Sequence, residues 1–356
     1  MIRSLSPYYV TTSWVSGDTA LTCTDYTLSI FIWDGAKAAP GTVKYTLTKD
    51  NAESSTGSDK VNISRLINDY IDFTPQKSTT GGAAKDGNNQ WWVKTYVNYT
   101  TSNPADATSN QYATTTLFTR GYSYGDEGEN YTTVSNNILL QGSEFDISRT
   151  SIFTLPILVD EAVPKTVTVI SYPDNEINDS FVIAATTDSA ELVKYIWVDA
   201  SETTSDKYIT ITHELTPINL YITDEYKYTT FDVFFQNKDG GQQVITFFKE
   251  RTDSMDVTDE TYESDRGQPL SGNHQFPRYN VQGRTKLKLS SGYVKESANE
   301  AFKQLLLSER IWAFESTTFI PLNIESKSIT YKTRQKERLI NYEIDFLWGY
   351  NEINNV

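Results

Sequence analysis

Two histidines, one cysteine and a large store of carboxylates bound the chemistry open to this chain of 356 residues. His213 stands in KYITITHELTP at a strand end, and His274 stands in SGNHQFP. A Ser/His/Asp triad needs a nucleophile on a sharp turn such as G-x-S-x-G, and the chain has no such motif. Both histidines are therefore read as surface or loop polar residues. Two acids at suitable separation would be enough for glycoside hydrolysis, yet no Asp or Glu sits within an aromatic run that would mark a groove. Cys23, in LTCTDYTLSI, reads as a buried structural thiol on a strand. A lone cysteine excludes an intrachain disulfide framework and a Cys-based zinc knuckle.

Oxygen ligands cluster in PDNEINDS (173–180) and DVTDETYESD (256–265), and calcium accepts such ligands. Neither stretch has the spacing of an EF-hand loop, so 174–179 is read as a turn or acidic loop. STTGGAAKDG (78–87) lacks the G-x-x-x-x-G-K-[ST] spacing of a phosphate cradle and reads as a flexible loop. QWWVKTYVNY has the aromatics of a single-strand nucleic-acid platform without its basic residues, and alternation explains it as a half-buried strand. No catalytic, cofactor or metal residue is assigned, and the chain is read as not an enzyme.

The elements that would position any site are mostly strands. Residues 1–156 are expected to form an N-terminal β-sandwich with long loops. Its strands are YYVTTSWV, YTLSIFIWD, TVKYTLTK, WWVKTYVNY and ATTTLFTR, with a short helix over SRLINDYI, where Ile63, Leu66, Ile67, Tyr70 and Ile71 share a face. Segments near 74–90, 100–111 and 121–137 read as exposed loops. Residues 157–252 hold seven short strands, from KTVTVISY to QQVITFFKE, the count of an immunoglobulin-like sandwich. NKDGGQQ (237–243) reads as a plain hairpin turn between its last two. Residues 253–280 read as an acidic linker.

Residues 281–356 are expected to form a small α+β module. RTKLKLSSG is a strand with Leu287 and Leu289 on one face and Lys286 and Lys288 on the other. Ser297 and Glu300 have the spacing of a capping box. Ala298, Ala301, Phe302 and Leu305 then make one apolar stripe of a helix, which would cover one face of a sheet built from IWAFES, FIPLNIES, SITYKTR and LINYEIDFLWGY.

The net charge of −15 is uneven: residues 266–356 carry +4 and residues 1–265 carry −19. An acidic body disfavours specific nucleic-acid binding, which depends on neutralised phosphates. No apolar run approaches the ~20 residues of a membrane span, and MIRSLSPYYVTTSWVSG has no signal-peptide core. Four sequons, at Asn62, Asn98, Asn130 and Asn178, are expected by chance in so Asn- and Thr-rich a chain.

The run YNVQGRTKLKLSSGYVKESANEAFKQLLLSERIWAF, followed by IPLNIES and RLINYEIDFLWGY, resembles a C-terminal module of virion proteins from tailed phages infecting Bacteroidota. FFQNKDGGQQVITFFK looks like the closing hairpin of the sandwich before it. The resemblance is to a crAss-like phage tail or neck ring protein and spans roughly residues 230–350. It implies a homo-oligomeric ring of the tail barrel below the portal, in contact with neighbouring tail or portal rings, with DNA passing through the lumen. An acidic lumen wall would keep that DNA from sticking. Localisation would be the virion, after assembly in the host cytoplasm. A glycan- or receptor-binding adhesin is the alternative, with exposed Tyr and Trp docking sugars. A depolymerase is the third reading, and it would need an acid-lined groove. The fold class that goes with the first reading is mainly β: tandem immunoglobulin-like sandwiches followed by the α+β assembly module.

Overall fold

The structure, a computed structural model, describes residues 1–15, 23–34, 37–54, 56–78, 81–86, 90–101, 112–132, 138–159, 164–183, 193–213, 216–225, 227–264, 272, 274–315, 317–326 and 340–353. The chain is mainly β and its sheets pack in layers. The expected strand SITYKTR lies outside the described residues, as does 102–111.

The N-terminal layers are built from β1 (Ile2–Arg3), β2 (Tyr9–Val15), β3 (Cys23–Trp33), β4 (Val43–Ser54), β5 (Thr56–Asn62), α1 (Ser64–Asn68), β6 (Gly82–Asp86), β7 (Gln90–Thr101) and β8 (Tyr112–Thr119). One sheet has the order β1-β8-β7-β3-β4, and β2 pairs with β5 in a separate ribbon. Period-two alternation on β3 turns Tyr26, Leu28, Ile30 and Ile32 inward. They meet Ile63, Ile67 and Ile71 from α1 and its flanks, so the helical spacing of SRLINDYI is realised. The opposite face of the sheet presents Trp33, Trp92 and Leu117 to Leu158 of the next unit.

That unit contains β9 (Glu144–Ser148), β10 (Ile152–Leu158), β11 (Lys165–Tyr172), β12 (Asn178–Ile183), β13 (Val193–Asp199), β14 (Tyr208–His213) and β15 (Thr216–Thr223). A sheet of order β12-β11-β14-β15-β9 faces a smaller one of order β10-β13-β6. Between them lie Phe153, Leu155, Ile157, Val167, Ile196 and Leu220. Two expectations change here. β6 falls in the stretch read as a flexible loop, yet it extends this sheet by pairing with β13. β9 precedes the expected boundary at 157 and β10 crosses it, yet both belong to this pair of sheets.

The last sheet has seven strands. They are β16 (Phe231–Gln236), β17 (Gln242–Phe247), β18 (Arg251–Thr261), β19 (Arg278–Val294), β20 (Ile311–Glu315), β21 (Thr318–Ile324) and β22 (Ile340–Trp348), in the order β17-β16-β20-β21-β22-β19-β18. The hairpin β16–β17, expected to close the second sandwich, therefore belongs to the C-terminal sheet through β16–β20 pairing. Both of its strands are buried on both faces, so they need cover on two sides. Helix α2 (Asn299–Leu307) covers one side, with Ala301, Phe302 and Leu305 buried against Phe235, Phe247 and Phe346. Phe73, from the segment after α1, covers the other, stacked on Trp312 at 5.2 Å.

The capping box does not form. Ser297 lies inside a 3-10 turn, Glu296–Ala298, and no side chain caps α2. Glu300 instead accepts hydrogen bonds from Tyr124 Oη at 2.6 Å and Gln304 Nε2 at 2.9 Å. Nor is 253–280 a linker over its described residues. β18 pairs with β19 from Arg251↔Leu289 out to Thr261↔Arg278, and the ladder continues as Ser264 N donates to Gln275 O at 2.9 Å. From Thr252 outward, every residue of β18 is exposed, on both faces of the ribbon.

Candidate functional site

The turn between β16 and β17 is the polar centre of the molecule. Two apolar strands lead into it, so its residues are carried into the interior. Asn237, Asp239, Gln242 and Gln243 are nearly inaccessible. The Asn237 side chain organises the turn: Oδ1 accepts from the backbone N–H of Asp239 at 3.1 Å and of Gly241 at 2.9 Å. Its Nδ2 donates to Leu139 O at 2.6 Å. Gly240 has φ +78°, and a Cβ there would stand 2.8 Å from Thr119 Cβ, so conformation and space both demand glycine.

Charges from distant parts of the chain converge on this turn. Arg3, only 2% exposed, donates through Nη2 to Asp239 at 2.6 Å and through Nη1 to Glu127 at 2.9 Å. Lys238 Nζ reaches the other Glu127 oxygen at 2.6 Å. Gln141 Nε2 donates to the second Asp239 oxygen at 3.0 Å. Lys238 N donates to Gln304 Oε1 of α2 at 3.0 Å. Tyr124 lies between two ammonium groups, with Lys303 3.7 Å and Lys238 4.4 Å from its ring centre. Buried charges hold their ionised form only when paired and hydrogen-bonded, and here Arg3 and Lys238 meet Asp239 and Glu127, with Glu300 and Lys303 paired at the exposed rim. The segment 121–132, expected as exposed loop, supplies Tyr122, Tyr124 and Glu127 to this junction.

Burial works against charge on Glu127, but hydrogen bonds from Lys238 and the Tyr124 N–H, with Arg3 nearby, outweigh it and hold its carboxyl below the ordinary value. Glu300 shifts the same way: burial opposes its charge, while Gln304, Tyr124, Lys303 and Lys238 overcome it. Burial, then the bond to Glu300, pushes the Tyr124 hydroxyl up. The stability that the two glutamates add is complete above their ordinary 4.5 and is lost as pH falls through their lowered native values. The melting temperature is therefore expected to drop between about pH 5 and pH 3. Glu127→Gln should flatten that slope in a calorimetric pH series; an unchanged slope would remove Glu127 from the account.

Such a cluster holds layers together. It joins β1, the 121–132 segment, the β16–β17 turn and α2, and its functional groups are occupied by one another. The sequence does carry a signal for it: a polar NKDGGQQ between the aromatic-rich stretches FDVFF and VITFF is a turn that is carried inward, and alternation alone does not show this.

The residues singled out from sequence lie elsewhere. His213 is buried at the end of β14, contrary to the surface reading, and His274 is exposed beyond the end of β18. Cys23 opens β3, and its side chain lies outside the described residues. In 173–180, Asp206 accepts from the N–H groups of Asp174 at 2.5 Å and Glu176 at 3.0 Å and from the Ser171 hydroxyl. Glu176 accepts from the Thr204 hydroxyl and from the N–H groups of Asp206, Thr204 and Ser205, and its carboxyl is held down at about 2. These oxygens tie a turn. Among the described residues no group of three or more His, Cys, Asp and Glu is gathered as a metal would require, and no helix is long and apolar enough to cross a membrane.

Two surface features remain. One is the β18–β19 ribbon, which exposes Met255, Val257, Tyr262, Phe276 and Tyr279 beside Asp253, Asp256, Asp259, Glu260 and Glu263. The other is a cross-strand row on β11, β14 and β15: Tyr172 stacks on Tyr208 at 5.0 Å, and Tyr208 lies 6.4 Å from Tyr221. Comparison with protein-family models, curated proteins and solved structures finds no match.

Proposed function

We propose that the protein is a structural subunit of a virion, an oligomeric ring component of a phage tail or neck below the portal. The observation that supports this most is the β18–β19 ribbon. A two-stranded hairpin is marginal by itself in water, and this one leaves both faces and one edge to solvent while a body locked by buried charges anchors its base. Such an element is fitted for contact with another chain. The C-terminal sheet with α2 serves as the assembly module, and the resemblance of residues 230–350 to crAss-like phage proteins points the same way. The chain turns nothing over in this reading; its surfaces meet other copies and neighbouring rings, and the acidic body lines a lumen through which DNA passes.

Native mass measurement of the purified chain tests the proposal. A closed oligomer near ten or more copies is the expected result, and a strict monomer at every concentration would overturn it. A glycan- or receptor-binding adhesin is the second reading, favoured by the tyrosine row, because aromatic faces suit pyranose rings. Its rings spend part of their faces on one another, as cross-strand pairs in a sheet do. Glycan-array binding that Tyr208→Ala abolishes would move the assignment to the adhesin.

A further inference from the structure

The exposed edge of the ribbon specifies its own partner. Among the described residues β18 is the last strand of its sheet, and its outer N–H and C=O groups have no strand neighbour there. A long exposed edge is a template for pairing with another chain. Its chemistry restricts which chain. Between Asp253 and Asp259 it carries three carboxylates, with Asp256 midway, and Glu260 and Glu263 follow with no Lys or Arg among them. Two such edges side by side would set like charges opposite each other, so pairing of β18 with β18 of a second copy is disfavoured.

The chain offers a complementary edge. β4 ends the N-terminal sheet on the side away from β3. Its stretch Val43–Lys49 carries Lys44 and Lys49 and no acid. Lys44, Thr46, Thr48 and Lys49 are exposed, with Val43 42% exposed beside them. Lys49 spends its charge partly on Asp59, at 2.5 Å, and Lys44 lies over Tyr70 at 5.6 Å, which leaves both ammonium groups at the surface. Beyond that stretch β4 also carries Asp50 and Glu53, so only its first seven residues are complementary. The other edges fit less well. β17 and β10 are buried along almost all of their length, and β9 and β12 carry acids and no cation. β1 is two residues long, β2 has no charge, β6 has Lys85 next to Asp86 in sequence, and Lys60 of β5 is paired with Glu129. The acid-free stretch Val43–Lys49 has the same number of residues as Asp253–Asp259, and Met255 and Val257 give the ribbon an apolar strip to set against Val43.

We infer that β18 of one copy adds to β4 of the next, making a continuous intermolecular sheet with carboxylates of the ribbon facing lysines of the receiving edge. The contact joins two different patches, so it is head-to-tail and closes into a ring when its rotation allows. This inference rests on the assembly reading and names the interface that reading requires.

The test uses the full chain and a shortened variant in which residues 256–284 are replaced by Asn-Gly, which retains the Met255↔Thr285 pair across a two-residue turn. Sedimentation and native mass should show the wild-type multimer. The variant should need about tenfold more protein or higher to assemble, with its melting temperature kept. A carbodiimide, applied to mixed heavy- and light-isotope copies, should link Asp253, Asp256 or Asp259 of one copy to Lys44 or Lys49 of another. Asp256→Lys should weaken assembly, and added Lys44→Glu should restore it; Asp259 and Lys49 are left in place because they pair with Arg278 and Asp59 of their own copy. A shortened variant that assembles like wild type, or links between ribbons or to other surfaces, overturns this interface and leaves the ring reading standing. A wild-type chain that never assembles overturns both.

Discussion

Phe302→Asp is expected to unfold the C-terminal layer. Phe302 is 2% exposed. Its ring lies 4.5 Å from that of Tyr342 and 6.1 Å from that of Phe247, so it connects α2 to strands β22 and β17. Removing a buried phenylalanine costs about 3–5 kcal/mol through lost burial and the cavity left behind. A carboxylate in the same place adds the cost of a charge with no partner, since the surrounding core residues Phe235, Leu305 and Phe346 are all apolar. The sum approaches the whole stability of an ordinary domain. Phe302→Leu keeps most of the volume and should cost far less, about 1 kcal/mol. Urea unfolding followed by the fluorescence of Trp312 and Trp348, both in this sheet, separates the two variants. Equal midpoints for Phe302→Asp and wild type would show that the stripe of α2 faces something other than this core.

The second large effect is expected at the charged junction. Asp239→Ala leaves the guanidinium of Arg3 facing a cavity, with Glu127 as its remaining carboxylate. Removing one partner of a buried ion pair typically costs about 3–5 kcal/mol, because the other charge stays buried without its partner. Arg3→Met together with Asp239→Leu removes both charges and should recover most of the loss. A double-mutant cycle closed with Arg3→Met and Asp239→Leu as the single variants would then return a coupling at or above the top of the roughly 0.5–3 kcal/mol usual for contacting residues. If the losses of the two single variants simply add in the double variant, Arg3 and Asp239 act independently and the junction does not fasten the layers.

The strands are legible in the sequence because alternation follows from burial of one face. YTLSIFIWD and KTVTVISY alternate apolar and polar residues, and they are the strands β3 and β11. The stripe Ala298, Ala301, Phe302 and Leu305 is readable for the same reason, since helical spacing and one-sided burial are a single fact. Sheet membership is harder to read. FDVFF and QVITFF announce burial on both faces without saying which layers provide it, and proximity along the chain points to the wrong sheet. The ribbon escapes composition because five carboxylates within 253–264 look like a solvated linker. They are a solvated strand, whose pairing with 274–289 depends on backbone groups that composition does not record. The charged junction is the least readable. Arg3, Glu127 and Asp239 become neighbours only through the tertiary fold, and each by itself resembles a surface charge.

The bond between Arg3 and Asp239 spans 236 positions of sequence. A ribosome adding about 5–20 residues per second releases the aspartate on the order of ten to fifty seconds after the arginine. For about the first half of that interval the guanidinium of the opening strand has neither carboxylate to receive it, and for the second half it has Glu127 alone. Completion of the charged junction is thus deferred until the turn between β16 and β17 has been made, about two thirds of the way along the chain.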